Sequence, residues 1–276
     1  VSRSDTVLLL DFDGTVAVGH GPVLAYARSA SAGLAPAAAA AFRAEVTAAV
    51  EALGDPASAD RRAGGAAHST DALLPLDGYD LVRVLAERHG IGPLALSAAY
   101  LASRHALGTA DAPVSAPLGL VAVLAELRTE ARVVLATNAP DIRLRETLAD
   151  LGLLGLLDAV LTDVGKPAGM PLVLDRLGAA PCGTGDGVRV LSIGDVWAND
   201  LAPVAARGHA TALVSRRPPP EARATWTVPA LPDLYPALRD WVRGRTDRTT
   251  DHPTQHPVEQ HPTDTARVPE RITSEG

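Results

Sequence analysis

Five short apolar runs, each ended by a polar residue or a glycine, constrain this chain most. They are Val7–Leu10, Val133–Ala136, Ala159–Thr162, Val188–Ile193 and Ala210–Val214. Runs of this length, apolar on both sides, read as strands of a parallel sheet covered on both faces. Helical stretches lie between and beside the last four: Leu118–Leu127, Asp141–Leu151, Leu172–Leu177 and Trp197–Ala206. Strand and helix alternate, so the expected fold is α/β, a Rossmann-like doubly wound parallel sheet with helices on both faces.

The interval between the first and second runs breaks this rhythm. Phe42, Val46, Val50 and Leu53 form one helical stripe that stops at Gly54, a second helix spans Tyr79–His89 before Gly90, and a third begins near Pro93 and halts at Gly108. The third carries Leu94, Ala98, Leu101 and His105 on one face, and residues 55–77, rich in Ala, Asp, Gly and Ser, read as a long loop. No strand pattern interrupts this region, so an all-helical cap is expected to be inserted after the first strand. The resulting division is a core of residues 1–16 and 116–243, a cap of 17–115 and a tail of 244–276. The tail has no aromatic residue, and its few apolar ones are Val258, Ala266, Val268 and Ile272, too little to offset the entropy of ordering, so it is expected to be disordered.

Composition removes several classes. A net charge of −7 argues against a general nucleic-acid binder. A lone cysteine, Cys182, excludes an intrachain disulfide framework and a cysteine-rich zinc site, and it suits a cytoplasmic location. No run is long enough for a membrane helix, so no membrane partner is expected. Of the 25 basic residues all but Lys166 are arginine, and this single exception calls for a chemical reason.

In open parallel sheets ligands bind beyond the carboxyl ends of the strands. There the chain places Asp11 and Asp13 after the first strand, Thr137-Asn138 after the second, Lys166 soon after the third and Asp195 after the fourth. Alone, each has a plain structural role, as a turn, a helix cap or a solvated loop residue. Together they would crowd carboxylates at one edge, where a hard divalent cation, magnesium with its preference for oxygen ligands, would neutralise them.

These residues resemble the motifs of the haloacid dehalogenase-like (HAD) superfamily. Asp11-Phe12-Asp13-Gly14-Thr15-Val16 is similar to its first motif, Ala136-Thr137-Asn138 to its second, Gly165-Lys166-Pro167 to its third and Gly194–Leu201 to its fourth. The resemblance spans residues 7–214 and implies a magnesium-dependent phosphatase acting on a small phosphate monoester. It implies Asp11 as nucleophile, Asp13 as acid and then base, and Thr137 with the Asn138 backbone amide as phosphoryl binders. Lys166 would bridge nucleophile and phosphoryl group. Mg2+ would be held by the carboxylates of Asp11 and Asp195 and the backbone carbonyl of Asp13, with Asp200 behind them orienting Lys166 or a metal-bound water.

Dehalogenating relatives lack an acid at the position of Asp13. Mutase-like relatives keep it and add a histidine where this chain has Val23, with His20 three residues early. The alternatives are thus a phosphosugar mutase, or a non-catalytic protein binding a phosphorylated ligand or a partner. Arg61, Arg62 and His68 in the long loop are candidate contacts for the far end of the substrate, though ordinary solvated loop positions explain them better. Gly183–Gly187 precedes a strand and reads as a turn, not a dinucleotide loop.

Overall fold

A computed structural model describes residues 5–54, 75–182 and 187–245. The sheet has six parallel strands in the order β3-β2-β1-β4-β5-β6: β1 Thr6–Leu10, β2 Arg132–Ala136, β3 Ala159–Leu161, β4 Arg189–Gly194, β5 Ala210–Val214 and β6 Trp226–Val228. The five strands read from sequence are present; β6 is an addition, only three residues long. β1 lies between β2 and β4, with Leu10 level with Leu135 on one side and Ile193 on the other.

Alternation along β1 builds the two layers around the sheet. Leu8 and Leu10 enter a cluster with Leu120, Leu124, Leu144, Leu148, Leu238 and Trp241. Val7 and Leu9 face the other way, onto Met170, Val173, Leu174 and Val204. The helices supplying the first layer include Leu120–Leu127, Leu144–Asp150 and Tyr235–Val242, the last of which closes the described chain.

The helical cap lies between β1 and β2 and holds α1 (Gly21–Ala30), α2 (Pro36–Gly54), α3 (Gly78–Arg88) and α4 (Pro93–His105). It has its own apolar cluster, drawn from Val23, Tyr26, Phe42, Val46, Val82, Leu85 and Leu96 among others. The chain enters and leaves it side by side, with Val18 N and Ser115 N each donating to the other residue's carbonyl at 2.8 and 2.9 Å. Gly21 fits there because a Cβ would lie 2.3 Å from the Pro113 carbonyl.

Three local readings change. The stripe Leu94, Ala98, Leu101 and His105 on α4 faces solvent, with Leu94 87% exposed; the buried face carries Leu96, Ala99, Ser103 and Arg104. The helix expected from Asp141 begins at Leu144, because Arg143 takes a left-handed φ of 52° and sends its guanidinium to the Leu107 carbonyl. The expected helix Trp197–Ala206 is a π-helical turn, Trp197–Leu201, followed by the short helix Ala202–Ala205. Most of the Gly183–Gly187 segment, the tail from residue 246 and most of the long loop lie outside the described residues. Among the described residues no helix is long and apolar enough to cross a membrane.

Candidate active site

β1 ends at Leu10, and the next residues wind tightly: the amides of Thr15, Val16 and Ala17 all donate to the Phe12 carbonyl. Asp11 and Asp13 therefore face one pocket by way of a turn, not as alternate residues of an extended strand. Gly14 makes the turn possible. Its φ of 82° is left-handed, and a Cβ there would lie 2.3 Å from Oδ2 of Asp195.

The pocket, about 180 Å³, is walled on the sheet side by Asp11, Asp13, Thr137, Asn138, Lys166, Asp195 and Asp200. All the residues singled out from the strand tips converge here. Lys166 Nζ lies 2.5 Å from Asp11 Oδ1 and 2.6 Å from Asp200 Oδ1, and it donates to the Ala136 carbonyl at 3.0 Å. Its side chain is only 3% exposed. Burial opposes its charge, but the two aspartates outweigh that and hold its pKa above the ordinary lysine value. An ammonium has one N–H for each of these three acceptors, whereas a guanidinium nitrogen has at most two, which accounts for the lone lysine.

Asn138 supports Lys166 in a way the sequence did not suggest. Its Oδ1 accepts from Lys166 N at 2.6 Å and its Nδ2 donates to Lys166 O at 3.1 Å, clamping the backbone of that residue. Thr137 Oγ1 accepts from Ala139 N at 3.0 Å, so its own hydroxyl proton remains to be donated. Asp200 is fixed at both ends: Oδ2 accepts from Val196 N at 3.0 Å, and its carbonyl accepts from Ser192 Oγ at 2.8 Å. With its other oxygen on Lys166, Asp200 orients the lysine.

Charge in the pocket is unbalanced. Carboxylate oxygens of Asp11, Asp195 and Asp200 all lie within 4.8 Å of one another. Burial and the neighbouring charge of Asp200 push the Asp11 carboxyl up to about 8, despite the pull of Lys166. Burial, Asp11 and Asp200 likewise push Asp195 well above the ordinary carboxylate value. One ammonium shared by two acids leaves an excess that a divalent cation would cancel, and the all-oxygen donor set suits a hard ion.

The cap supplies the opposite wall with Asp77, Tyr79 and Tyr100. Asp77 caps α3 by accepting from Asp80 N at 2.8 Å, which sets Tyr79 in the first turn. Tyr26, Tyr79 and Tyr100 pack ring to ring, with centroids 5.7 to 6.0 Å apart. Behind Asp13 stands Arg104 of α4, completely buried, with Nη1 at 3.0 and 3.1 Å from the two Asp13 oxygens. Burial opposes its charge, but Asp13 more than offsets this and keeps the guanidinium protonated. Sequence reading passed over Arg104, Tyr79 and Tyr100. Ala99 and Ser103, small residues spaced to share the Arg104 side of α4, were the available signal.

Arg61, Arg62 and His68 lie outside the described residues. His89 packs its ring on Phe42 at 5.2 Å between centroids and meets Glu45 at 2.8 Å, a contact within the cap. His105 is exposed.

Comparison with known proteins gives a fold and little sequence likeness. No family model and no curated protein matches the chain. Among solved structures, it is similar to the HAD-hydrolase YfnB of Bacillus subtilis, solved bound to magnesium, with a TM-score of 0.52 and 17% identity over 84% of this chain and 98% of that one. It is also similar to a HAD phosphatase from Thermococcus onnurineus, with a TM-score of 0.50 and 18% identity over 84% of this chain and 97% of the other. The L-2-haloacid dehalogenase of Xanthobacter autotrophicus matches with a TM-score of 0.49 and 17% identity, over 87% of this chain and 99% of its own.

Proposed function

The chain folds as the HAD-superfamily hydrolases do, and on that fold we propose that it is a magnesium-dependent phosphatase of small phosphate monoesters. One observation carries the reading: an acid at Asp11, a cation at Lys166 and a second acid at Asp13 meet in one pocket beside unbalanced carboxylates.

Asp11 attacks phosphorus through a carboxylate oxygen, forming an aspartyl-phosphate as the P–O bond to the alcohol breaks. The bond electrons leave on the alcohol oxygen, which takes a proton from Asp13. Asp13, now a carboxylate, then removes a proton from the water that hydrolyses the intermediate, so Asp11 and Asp13 both return to their starting states. Lys166 offsets charge on the transferring group while Asp200 and Asn138 hold it in place. Thr137 donates its hydroxyl to a phosphoryl oxygen. A divalent ion held by Asp11, Asp195 and the Asp13 carbonyl would supply the positive charge that this acidic pocket lacks.

The second acid favours a phosphatase over a dehalogenase, since a departing halide needs no proton. Val23 is buried in the cap's own cluster and His20 starts α1 at an exposed position, so neither offers the pocket the imidazole of a mutase. The test is phosphate release from a broad ester panel with magnesium and with a chelator. Release that requires magnesium supports the reading. Absence of release from every ester would leave the non-catalytic binding alternative.

A further inference from the structure

Arg104 is the one charged side chain among the described residues with no exposure at all. A single nitrogen, Nη1, makes its hydrogen bonds among the described residues: 3.0 and 3.1 Å to the Asp13 oxygens and 2.8 Å to Tyr79 Oη, while the guanidinium carbon lies 5.8 Å from the centroid of the Phe12 ring. Nε and Nη2 are buried with no hydrogen-bond partner among the described residues. A guanidinium retained for stability would present two parallel N–H groups to a carboxylate. Here two donor nitrogens stay buried and unmet among the described residues, a cost that packing alone does not explain. The tyrosine completes the arrangement, with Oη at 3.3 Å from Asp13 Oδ1. Arg104 ends α4 and Tyr79 begins α3, so both come from the cap, whereas Asp13 belongs to the loop after β1.

We infer that Arg104 and Tyr79 are positioning residues for Asp13, holding its carboxyl group toward the leaving oxygen. The inference rests on the phosphatase reading above. When Asp13 gives its proton to the departing alcohol, the resulting carboxylate is received by Arg104 Nη1 and Tyr79 Oη. When it takes a proton from water, the same contacts keep it facing the pocket. The acid is therefore oriented only while α3 and α4 are seated on the β1 loop.

The test uses substituted phenyl phosphates running from the p-nitrophenyl to the unsubstituted phenyl ester, with magnesium. kcat/KM is plotted against leaving-group pKa for the wild type, Tyr79→Phe, Arg104→Met and Arg104→Lys. A poor leaving group depends on a well-placed acid far more than a good one does. The expected result is a steeper plot for Tyr79→Phe and Arg104→Met, with the loss growing by about 10–100-fold across the series, and partial recovery in Arg104→Lys. Parallel plots, in which every ester loses the same factor, would reduce both residues to packing and overturn the inference while leaving the phosphatase reading in place. Tyr79→Phe removes only a hydroxyl and decides the matter even if Arg104→Met fails to fold. No release from any ester by the wild type would overturn the phosphatase reading and this inference with it.

Discussion

Replacing Asp195 by asparagine should stabilise the metal-free protein while removing its response to magnesium. Carboxylate oxygens of Asp195, Asp11 and Asp200 lie within 4.8 Å of one another. At that separation two unit charges repel by about 3 kcal/mol at the effective dielectric of a protein site. Asparagine removes the repulsion of Asp195 with both partners. Protonation already relieves part of it, since Asp11 is pushed up to about 8. A net gain of about 2–3 kcal/mol is expected, equivalent to roughly 5–10 °C in Tm.

The sign with pH follows from the direction of the shifts. Asp11 and Asp195 have folded pKa values above the unfolded value of 3.8. The stability they permit is complete below about pH 4 and is lost as pH rises through the folded value. Between pH 6 and 9 the metal-free wild type should lose Tm, and Asp195→Asn should lose less. Magnesium at about 100 times its Kd should return about 2.7 kcal/mol to the wild type and little to the variant. Differential scanning calorimetry at several pH values, with magnesium and with chelator, measures all of this. A lower metal-free Tm in Asp195→Asn, or equal magnesium shifts in both proteins, would refute the charge argument.

Asp11→Asn should lower phosphate release by more than about 10³-fold while leaving the circular dichroism spectrum unchanged. Lys166→Met leaves Asp11 and Asp200 buried without their shared cation and should cost about 3–5 kcal/mol of stability in the metal-free protein, read by urea denaturation. Gly14→Ala puts a Cβ 2.3 Å from Asp195 Oδ2 at a left-handed φ, so the magnesium-induced rise in Tm should shrink along with turnover.

The sheet and the catalytic edge were legible because local patterns and long-range consequences agree there. Val7–Leu10 is apolar on both sides and, at four residues before a glycine turn, too short for a buried helix, so it reads as a strand covered from both directions. Its tip carries Asp11, Asp13 and Gly14 in sequence, so the pocket's first wall is fixed by contiguous residues. Lys166 stood out because the rest of the basic residues are arginine, and its three buried acceptors show why. The final strand was harder to see. Trp226–Val228 has three residues, half-buried to exposed, after a proline-rich turn, and gains its strand conformation from pairing with Ala212–Val214.

The cap's contribution was not legible, for a physical reason that Arg104 makes plain. Helical periodicity on α4 pointed to Leu94, Ala98 and Leu101, the more hydrophobic stripe, and that stripe is in solvent. After Leu96 the buried stripe turns small and polar, through Ala99 and Ser103, where α4 brings a guanidinium to an acid 91 positions earlier in the chain. Apolar patterning reports which face a helix buries when burial serves the hydrophobic effect. It inverts where burial serves a charge, since small residues such as Ala99 and Ser103 are what let the arginine stem pass. A cap helix more polar on its buried side than on its exposed side thus marks the wall of the site, and on α4 that polarity gathers at Arg104, beside Asp13.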